Sequence, residues 1–281
     1  PMKDHTSFKV GGPADIFIEP EGVEELEIAL KSLRRQGIPY YIIGNGTNLL
    51  VSDKGIRGAV VEIGGKFTGV DIEGDKIIAE CGILLSTLSK MAARSSLTGM
   101  EFASGIPGTL GGAVAMNAGA YGGEMKDIIE WVEVLDEELK LKRLQGSEME
   151  FGYRRSVVEP RGYIVLRCCI KLRAGNPDEI NSLMADLTEK RKTKQPLYLP
   201  SAGSTFKRPE GYFAGKLIED AGLRGFSHGG AQVSELHCGF VVNNGAATAQ
   251  EVYELIRHVQ KTVFEKFSVK LETEVKMLGE F

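Results

Sequence analysis

The sequence predicts an α+β protein with three α/β parts, and three observations support this fold class. Runs with helical spacing of apolar residues alternate with short β-rich runs along the chain. The chain has 281 residues, of which 42% are hydrophobic, so it can bury one large core or two to three small ones. A glycine-dense stretch at residues 99–123 interrupts the alternation and resembles no other part of the chain.

The first part, residues 1–62, has the strand, helix, strand order of a small α/β unit. Its predicted elements are a strand at 14–19, a helix at 21–36, and strands at 40–44 and 49–51. Apolar residues at helical spacing define the helix, and Gly37 ends it.

The second part, residues 63–192, is predicted to be a further α+β unit. Its elements are strands at 76–81, 128–135 and 163–172, the segment 139–144 between the last two, and a helix at 84–96; a strand predicted at 58–63 crosses its boundary with the first part. Cys168 and Cys169 are adjacent in the last strand, so we expect their side chains to point to opposite faces of a sheet.

The third part, residues 193–270, follows a helix predicted at 176–192, where Asn176 is the N-cap and Pro177 occupies the first helical position. Its predicted elements are a helix at 213–221 and a helix that a capping box at Thr248 opens and that runs to 267. A closing strand predicted at 271–278 follows this part. We expect residues 271–281 to return to the first part.

Composition excludes several classes of function. The net charge is −4 and the basic residues are dispersed, which argues against a nucleic-acid partner. No apolar run reaches membrane-spanning length, and the four histidines lack metal-ligand spacing. The four cysteines show no CxxC spacing and no secretory signal precedes them, so we expect structural thiols in the cytoplasm, with no membrane and no metal.

The glycine-dense stretch, GMEFASGIPGTLGGAVAMNAGAYGG, contains eight glycines, little charge and several apolar side chains. Glycine permits positive φ and close approach of other groups, whereas the apolar residues favour burial. We therefore predict a buried, ligand-facing loop system whose backbone N–H groups bind an anion such as a pyrophosphate. The alternative is a set of tightly packed turns with no ligand.

A second polar turn, Gly44-Asn45-Gly46-Thr47-Asn48, follows the apolar run YYII. Strand ends of this kind are where α/β folds place nucleotide phosphates. The turn is not a GxGxxG fingerprint, because no helical pattern follows it directly. The alternative is an ordinary loop.

Six motifs in order resemble those of the UDP-N-acetylenolpyruvoylglucosamine reductases of bacterial peptidoglycan synthesis: TSFKVGGPAD, IGNGTNLLV, SGIPGTLGGAVAMNAGAYG, FGYRRS, SAGSTFKRP and ETEVKMLG. These are flavoenzymes with the vanillyl-alcohol-oxidase-type FAD-binding fold. The resemblance implies two FAD-binding subdomains, a C-terminal substrate domain, bound FAD, and NADPH as co-substrate. It also implies reduction of a UDP-sugar enolpyruvyl ether to UDP-N-acetylmuramate. The chain between Arg154 and Lys194 is too short for the family's Tyr-bearing insertion, which indicates the compact second type.

The resemblance implies FAD contacts within both glycine-bearing motifs. The residues concerned are Ile43, Gly44, Asn45, Gly46, Thr47, Asn48, Leu49, Gly105, Ile106, Pro107, Gly108, Gly111, Gly112, Asn117, Ala118 and Gly119.

Three positions match the family's catalytic residues: Arg154, Ser204 and Glu274. Hydride addition to the β-carbon leaves enolate character beside a carboxylate, so a cation must hold the carboxylate and an acid must protonate the α-carbon. Arginine offers a charged planar fork, and a positioned serine can quench a strongly basic carbanion. Without the family context, Arg154 would be a surface ion pair, Ser204 a backbone cap and Glu274 a solvent-exposed edge residue. Glu272 shares a strand face with Glu274 by alternation.

For the UDP-sugar substrate, the resemblance implies contacts from Lys194, Arg208 and His237. A different class of function stays open at this point. The same fold could serve a non-catalytic flavin- or nucleotide-binding protein in which the three catalytic types are incidental.

Overall fold

Local sequence patterns determine where the helices form. Helix α1 buries Leu26, Leu30 and Leu33, which lie on one face at spacings of four and three residues. The Thr248 side chain accepts a hydrogen bond from the Glu251 N–H and so caps α6, as the capping box predicts. The computed structural model describes residues 1–281, and its α-helices are α1 (Val23–Arg35), α2 (Leu85–Arg94), α3 (Leu110–Ala115), α4 (Pro177–Lys194), α5 (Ala214–Asp220) and α6 (Ala249–Phe267).

The strands are short. They are β1 (Ala14–Ile18), β2 (Tyr40–Ile43), β3 (Leu49–Val51), β4 (Ile56–Glu62), β5 (Val70–Glu73), β6 (Lys76–Glu80), β7 (Leu97–Thr98), β8 (Gly119–Ala120), β9 (Gly123–Glu124), β10 (Ile129–Leu135), β11 (Leu141–Gln145), β12 (Ile164–Lys171), β13 (Arg173–Ala174), β14 (Ser227–His228), β15 (Ala231–Val233), β16 (Val241–Asn243) and β17 (Lys276–Leu278). The strand order β1-β4-β2 forms one sheet of three strands.

Contacts between Cα atoms divide the chain into two units. The terminal unit consists of Pro1–Ile16, Gly46–Ala59 and Lys192–Phe281, and the central unit consists of Phe17–Asn45 and Val60–Arg191. The turn Gly44-Asn45-Gly46-Thr47-Asn48 is therefore shared, because Asn45 is the last residue of one segment and Gly46 the first of the next.

The central unit is built on a five-stranded antiparallel sheet with the order β11-β10-β12-β6-β5. Cys168 and Cys169 are both buried in β12 and meet different neighbours. Cys169 Sγ lies 3.2 Å from Glu130 Oε2, and burial together with this carboxylate raises the pKa of Cys169 to about 12. The thiol is therefore protonated and unreactive at neutral pH.

The terminal unit has its own core around α6. Val252, Ile256, Val259 and Val263 of this helix are fully buried. They belong to the same apolar cluster as Val275, which lies just before β17. Strand β17 pairs in parallel with β3, and Met277 lies opposite Leu50.

Two predicted elements differ from the structure. The glycine-dense stretch contains a helix, α3, because Thr109 supplies an N-cap whose side chain accepts from the Gly112 N–H. The closing strand predicted at 271–278 is only Lys276–Leu278. Residues before it pair instead through an isolated bridge between Thr273 and Phe206, so a continuous ladder does not form.

No helix has the length and apolar character needed to cross a membrane. No cluster of histidine, cysteine and carboxylate side chains is arranged to hold a metal ion.

Candidate active site

The two glycine-bearing motifs meet within the central unit. A Cβ atom on Gly44 would lie 2.2 Å from Thr109 Oγ1, so a larger residue there would displace the hydroxyl that caps α3. Beside it, Asn45 Nδ2 donates a hydrogen bond of 3.2 Å to the carbonyl of Pro107. The sequence predicts both stretches as one cofactor site, and the structure brings Gly44 and Asn45 together with Pro107 and Thr109.

Backbone amides at this junction are available to a ligand. The N–H groups of Gly44, Asn45, Gly105 and Gly108 donate to no backbone or side-chain acceptor of the protein. Backbone donors that lack a protein partner need water or a bound acceptor, and several donors that face one ligand form an anion site. These four open N–H groups can therefore donate to an acceptor on a ligand, and a dinucleotide phosphate supplies such acceptors.

A cleft of about 480 Å³ opens beside the junction. Asn45 and Thr109 line it together with Glu62, Gly82 and Thr87, all from the central unit. Its volume lies within the range of small-molecule sites. The sequence motifs did not indicate Glu62, Gly82 or Thr87, because they stand outside the glycine-bearing stretches.

Arg191 supplies a positive charge beside the second motif. A Cβ on Gly105 would lie 3.1 Å from Arg191 Cδ and 3.4 Å from its Nη1, so the side chain lies directly on this loop. Burial lowers the pKa of Arg191, and no hydrogen bond or ion pair from the protein compensates its guanidinium. A half-buried charge without a counterion is costly, and an anionic ligand would offset that cost. The sequence motifs did not indicate Arg191, whose only signal in the sequence is a basic run at the end of α4.

The remaining residues of the glycine-dense motif have structural contacts. The Gly111 N–H donates to the Cys81 carbonyl at 2.8 Å, and the Ala118 N–H donates to the Ala113 carbonyl at 2.8 Å. Ile106 is half-buried. A Cβ on Gly119 would lie 2.7 Å from the Gly123 carbonyl, across the β8–β9 hairpin. Their contact with FAD stays a prediction.

Asn117 connects the glycine-dense motif to the FGYRRS motif. Its side chain is fully buried and donates to the Gly152 carbonyl at 3.0 Å and to Glu124 Oε2 at 2.7 Å. Its Oδ1 accepts from the Lys126 N–H at 2.9 Å. Asn117 therefore holds the turn that precedes Arg154.

Arg154 has a strained backbone and a defined side-chain position. Its φ is +55°, a left-handed conformation that non-glycine residues rarely adopt. Its Nη2 donates to the Gly119 carbonyl at 3.1 Å, and its guanidinium lies 5.1 Å from the centre of the Tyr153 ring. Backbone strain of this kind concentrates at functional sites.

The terminal unit holds Gly46, Thr47, Asn48 and Leu49. Gly46 has a φ of +59°, and a Cβ there would lie 1.9 Å from the His5 carbonyl. This glycine is thus required for packing against the N-terminal segment. Asn48 Nδ2 donates to the Glu274 carbonyl at 3.0 Å, and Leu49 begins the strand that pairs with β17.

Ser204 and Glu274 are brought together within the terminal unit. Ser204 is exposed, whereas the next residue, Thr205, is fully buried. The Thr205 N–H donates to the Gly239 carbonyl at 2.8 Å, and its carbonyl accepts from the Glu274 N–H at 2.9 Å. The Thr205 hydroxyl also accepts from the Val241 N–H at 2.9 Å. The main chain beside Ser204 is therefore fixed against the main chain of Glu274.

Glu272 and Glu274 differ in their surroundings. Glu272 is exposed and forms an ion pair of 3.3 Å with Lys207, whereas Glu274 is half-buried. Strand alternation alone could not separate the two carboxylates. Their burial makes Glu274 the one enclosed near Thr205.

The predicted substrate residues lie at three places. Lys194 is exposed at the end of α4. The Arg208 guanidinium stacks 3.9 Å from the centre of the Phe213 ring, and its Nε donates to the Tyr212 carbonyl at 3.3 Å. His237 is half-buried and its Nδ1 accepts from the Gly239 N–H at 3.0 Å. Burial lowers the pKa of His237, so the ring is neutral and its proton is on Nε2.

Comparisons with known proteins identify the family of this chain. A family model for the UDP-N-acetylenolpyruvoylglucosamine reductase C-terminal domain matches residues 195–278, and a model for an FAD binding domain matches residues 14–145. Proteins named UDP-N-acetylenolpyruvoylglucosamine reductase are 56% identical in Alkaliphilus oremlandii and 57% identical in Caldanaerobacter subterraneus. Each alignment covers 100% of this chain and 92% of the relative.

A solved structure is similar over nearly the same length. The crystal structure of the reductase from Thermus caldophilus matches with a TM-score of 0.85 and 39% identity, over 99% of this chain and 97% of that one. This chain therefore belongs to the UDP-N-acetylenolpyruvoylglucosamine reductase family and has its vanillyl-alcohol-oxidase-type FAD-binding fold.

Proposed function

We propose that this protein catalyses the FAD-dependent, NADPH-consuming reduction of UDP-N-acetylglucosamine enolpyruvate to UDP-N-acetylmuramate, a step of peptidoglycan precursor synthesis. The observation that carries the proposal is the hydrogen bond from the Glu274 N–H to the Thr205 carbonyl, which fixes the main chain of the half-buried Glu274 beside the main chain that follows the exposed Ser204. Family membership over the whole chain supports the same reaction.

The central unit would hold FAD. The open amides of Gly44, Asn45, Gly105 and Gly108 supply donors for its diphosphate, and Arg191 supplies a positive charge. The cofactor supplies hydride transfer from NADPH to the β-carbon of the enol ether. The protein supplies binding, orientation and protons.

Each catalytic side chain has a distinct task in this proposal. Arg154 pairs with the substrate carboxylate through its planar fork and stabilises the negative charge that develops beside it. Ser204 donates its hydroxyl proton to the α-carbon, a positioned transfer worth about 10²–10⁴-fold. Glu274 orients or replenishes that proton.

Substrate binding would use the remaining predicted residues. Lys194 and Arg208 are cations suited to the two phosphates of a UDP-sugar. His237 is neutral, so it would offer its Nε2–H as a donor without adding charge.

The test begins with the absorption spectrum of the purified protein, where we expect a flavin chromophore. NADPH oxidation should then depend on added enolpyruvyl substrate. A colourless folded protein that takes up no FAD would contradict the proposal. A protein that binds FAD, but whose flavin is neither reduced by NADPH nor reoxidised by substrate, would instead be the non-catalytic flavin-binding protein.

A further inference from the structure

Asn48 connects the first glycine-bearing motif to the C-terminal segment. Its Nδ2 donates to the main-chain carbonyl of Glu274 at 3.0 Å, and its own carbonyl accepts from the Lys276 N–H at 2.9 Å. The two bonds hold both sides of Val275, which is buried. Asn48 therefore contacts the main chain that carries the proposed catalytic carboxylate.

The Glu274 backbone is bound on both of its polar groups. Its N–H donates to the Thr205 carbonyl at 2.9 Å, and its carbonyl accepts from Asn48. Fixing both groups restricts φ and ψ at this residue, and these angles set the direction in which its side chain leaves the backbone. Thr205 is the residue after Ser204, so one of the two bonds fixes the Glu274 main chain one residue from the proposed proton donor.

We propose that Asn48 is a positioning residue for Glu274 in the reduction, acting through the Glu274 carbonyl. This inference rests on the proposed function. It assigns the Asn48 side chain a task within the protein, distinct from the FAD contact that its motif implies.

The chemistry of this contact requires an amide side chain. Nδ2 is a donor and the Glu274 carbonyl is an acceptor, so Asn48→Asp would place a carboxylate oxygen against a carbonyl oxygen and replace attraction by repulsion. Asn48→Ala removes the contact without adding charge. Both variants leave the backbone bond from Lys276 in place.

The experiment compares Asn48→Asp, Asn48→Ala, Glu274→Gln and the double variant Asn48→Ala/Glu274→Gln, each as FAD-loaded full-length protein. Stopped-flow absorbance follows reduction of the flavin by NADPH and its reoxidation by the enolpyruvyl substrate separately, and titration measures the FAD dissociation constant. Asn244→Asp is the matched control, because Asn244 is an exposed asparagine of the same unit.

We expect reoxidation to slow by about 10- to 100-fold in both Asn48 single variants, the scale of a displaced reacting group. Flavin reduction and FAD affinity should stay within about 3-fold of wild type. The double variant should be no slower than Glu274→Gln, because residues that act as one unit are not additive.

Three results would overturn the inference. Loss of FAD affinity in Asn48→Ala would show that Asn48 is a cofactor ligand. Additive slowing in the double variant would show that the effect of Asn48 is independent of Glu274. Reoxidation at the wild-type rate in the Asn48 single variants would show that Asn48 has no role in this half-reaction. If Asn48→Asp fails to fold, Asn48→Ala decides the matter. If the wild-type protein does not turn over, both the proposed function and this inference are wrong. If the wild-type protein is active and the Asn48 variants reoxidise at its rate, only this inference is wrong.

Discussion

Arg154 in the central unit and Ser204 with Glu274 in the terminal unit are held in opposite ways. Arg154 lies at a left-handed φ of +55°, on a turn that the buried Asn117 side chain supports. Ser204 and Glu274 are held mainly by main-chain hydrogen bonds through Thr205 and have no positive φ. The first arrangement stores strain and depends on side chains, whereas the second depends on backbone pairing.

This difference predicts how each region responds to mutation. Backbone hydrogen bonds survive the replacement of a side chain, so substitutions at Ser204 should change chemistry and leave the fold intact. A turn supported by a buried asparagine loses its support when that side chain is removed. Variants near Arg154 should therefore change stability and activity together.

The largest expected effect is that of Ser204→Ala. NADPH should reduce the flavin at a near-normal rate, because that transfer needs no proton from Ser204, whereas reoxidation by the enolpyruvyl substrate should slow by about 10²–10⁴-fold. Stopped-flow absorbance measures both half-reactions. Ser201→Ala, in the same motif, is the control and should cost little. Equal slowing of the two half-reactions would show that Ser204 positions the cofactor and donates no proton.

The next effect tests the charge beside the glycine-dense motif. Arg191→Leu should weaken FAD binding by about 10- to 100-fold, through loss of a charged hydrogen-bond donor. The apo protein should become more stable at the same time, because a half-buried charge without a counterion is removed. Titration and thermal unfolding measure the two effects.

Lys192→Leu is the matched control for Arg191→Leu, because it removes the same charge from an exposed position of the same helix. It should leave FAD affinity unchanged. Equal loss of FAD affinity in both variants would show that Arg191 acts only through its overall positive charge and makes no specific contact with the cofactor.

A smaller effect tests the support of the Arg154 turn. Asn117→Ala leaves the Lys126 N–H without its partner and removes one of the two hydrogen bonds that the Gly152 carbonyl accepts, so the free energy of unfolding should fall by about 1–3 kcal/mol. Chemical denaturation measures this loss, and turnover should fall with it. Asn244→Ala, at an exposed site, should change neither. Unchanged stability in Asn117→Ala would show that the Arg154 turn does not depend on this side chain, and the proposed difference between the two regions would be wrong.

The smallest expected effect is the difference in the free energy of unfolding between Gly and Ala variants, and this difference should have opposite signs at positions 154 and 204. At position 154, Gly should be more stable than Ala by about 1 kcal/mol, because glycine adopts positive φ without strain. At position 204, where φ is not positive, Ala should be more stable than Gly by about 0.5 kcal/mol. Denaturation of the four variants checks the reversal, and the same sign at both sites would refute strain at Arg154.

Local patterns predicted most helices and strands of this protein. Apolar periodicity placed α1 and α6 within two residues of their observed ends, because spacing and caps act over a few positions. Helix α3 was not predicted because Gly111 and Gly112, which disfavour a helix, lie in its first turn. The Thr109 N-cap was a local signal for this helix. The motifs, taken in order, identified the family that the comparisons confirm.

The sequence by itself determined the family, the fold class and the residue types available for the chemistry, because these depend on order and local spacing along the chain. Only the tertiary structure showed that Glu274 is half-buried whereas Glu272 is exposed, placed the unpaired Arg191 against Gly105, and showed that Asn48 binds the Glu274 carbonyl. These contacts join residues far apart in the sequence, and burial and hydrogen-bond partners follow from how the chain packs. No local pattern records them.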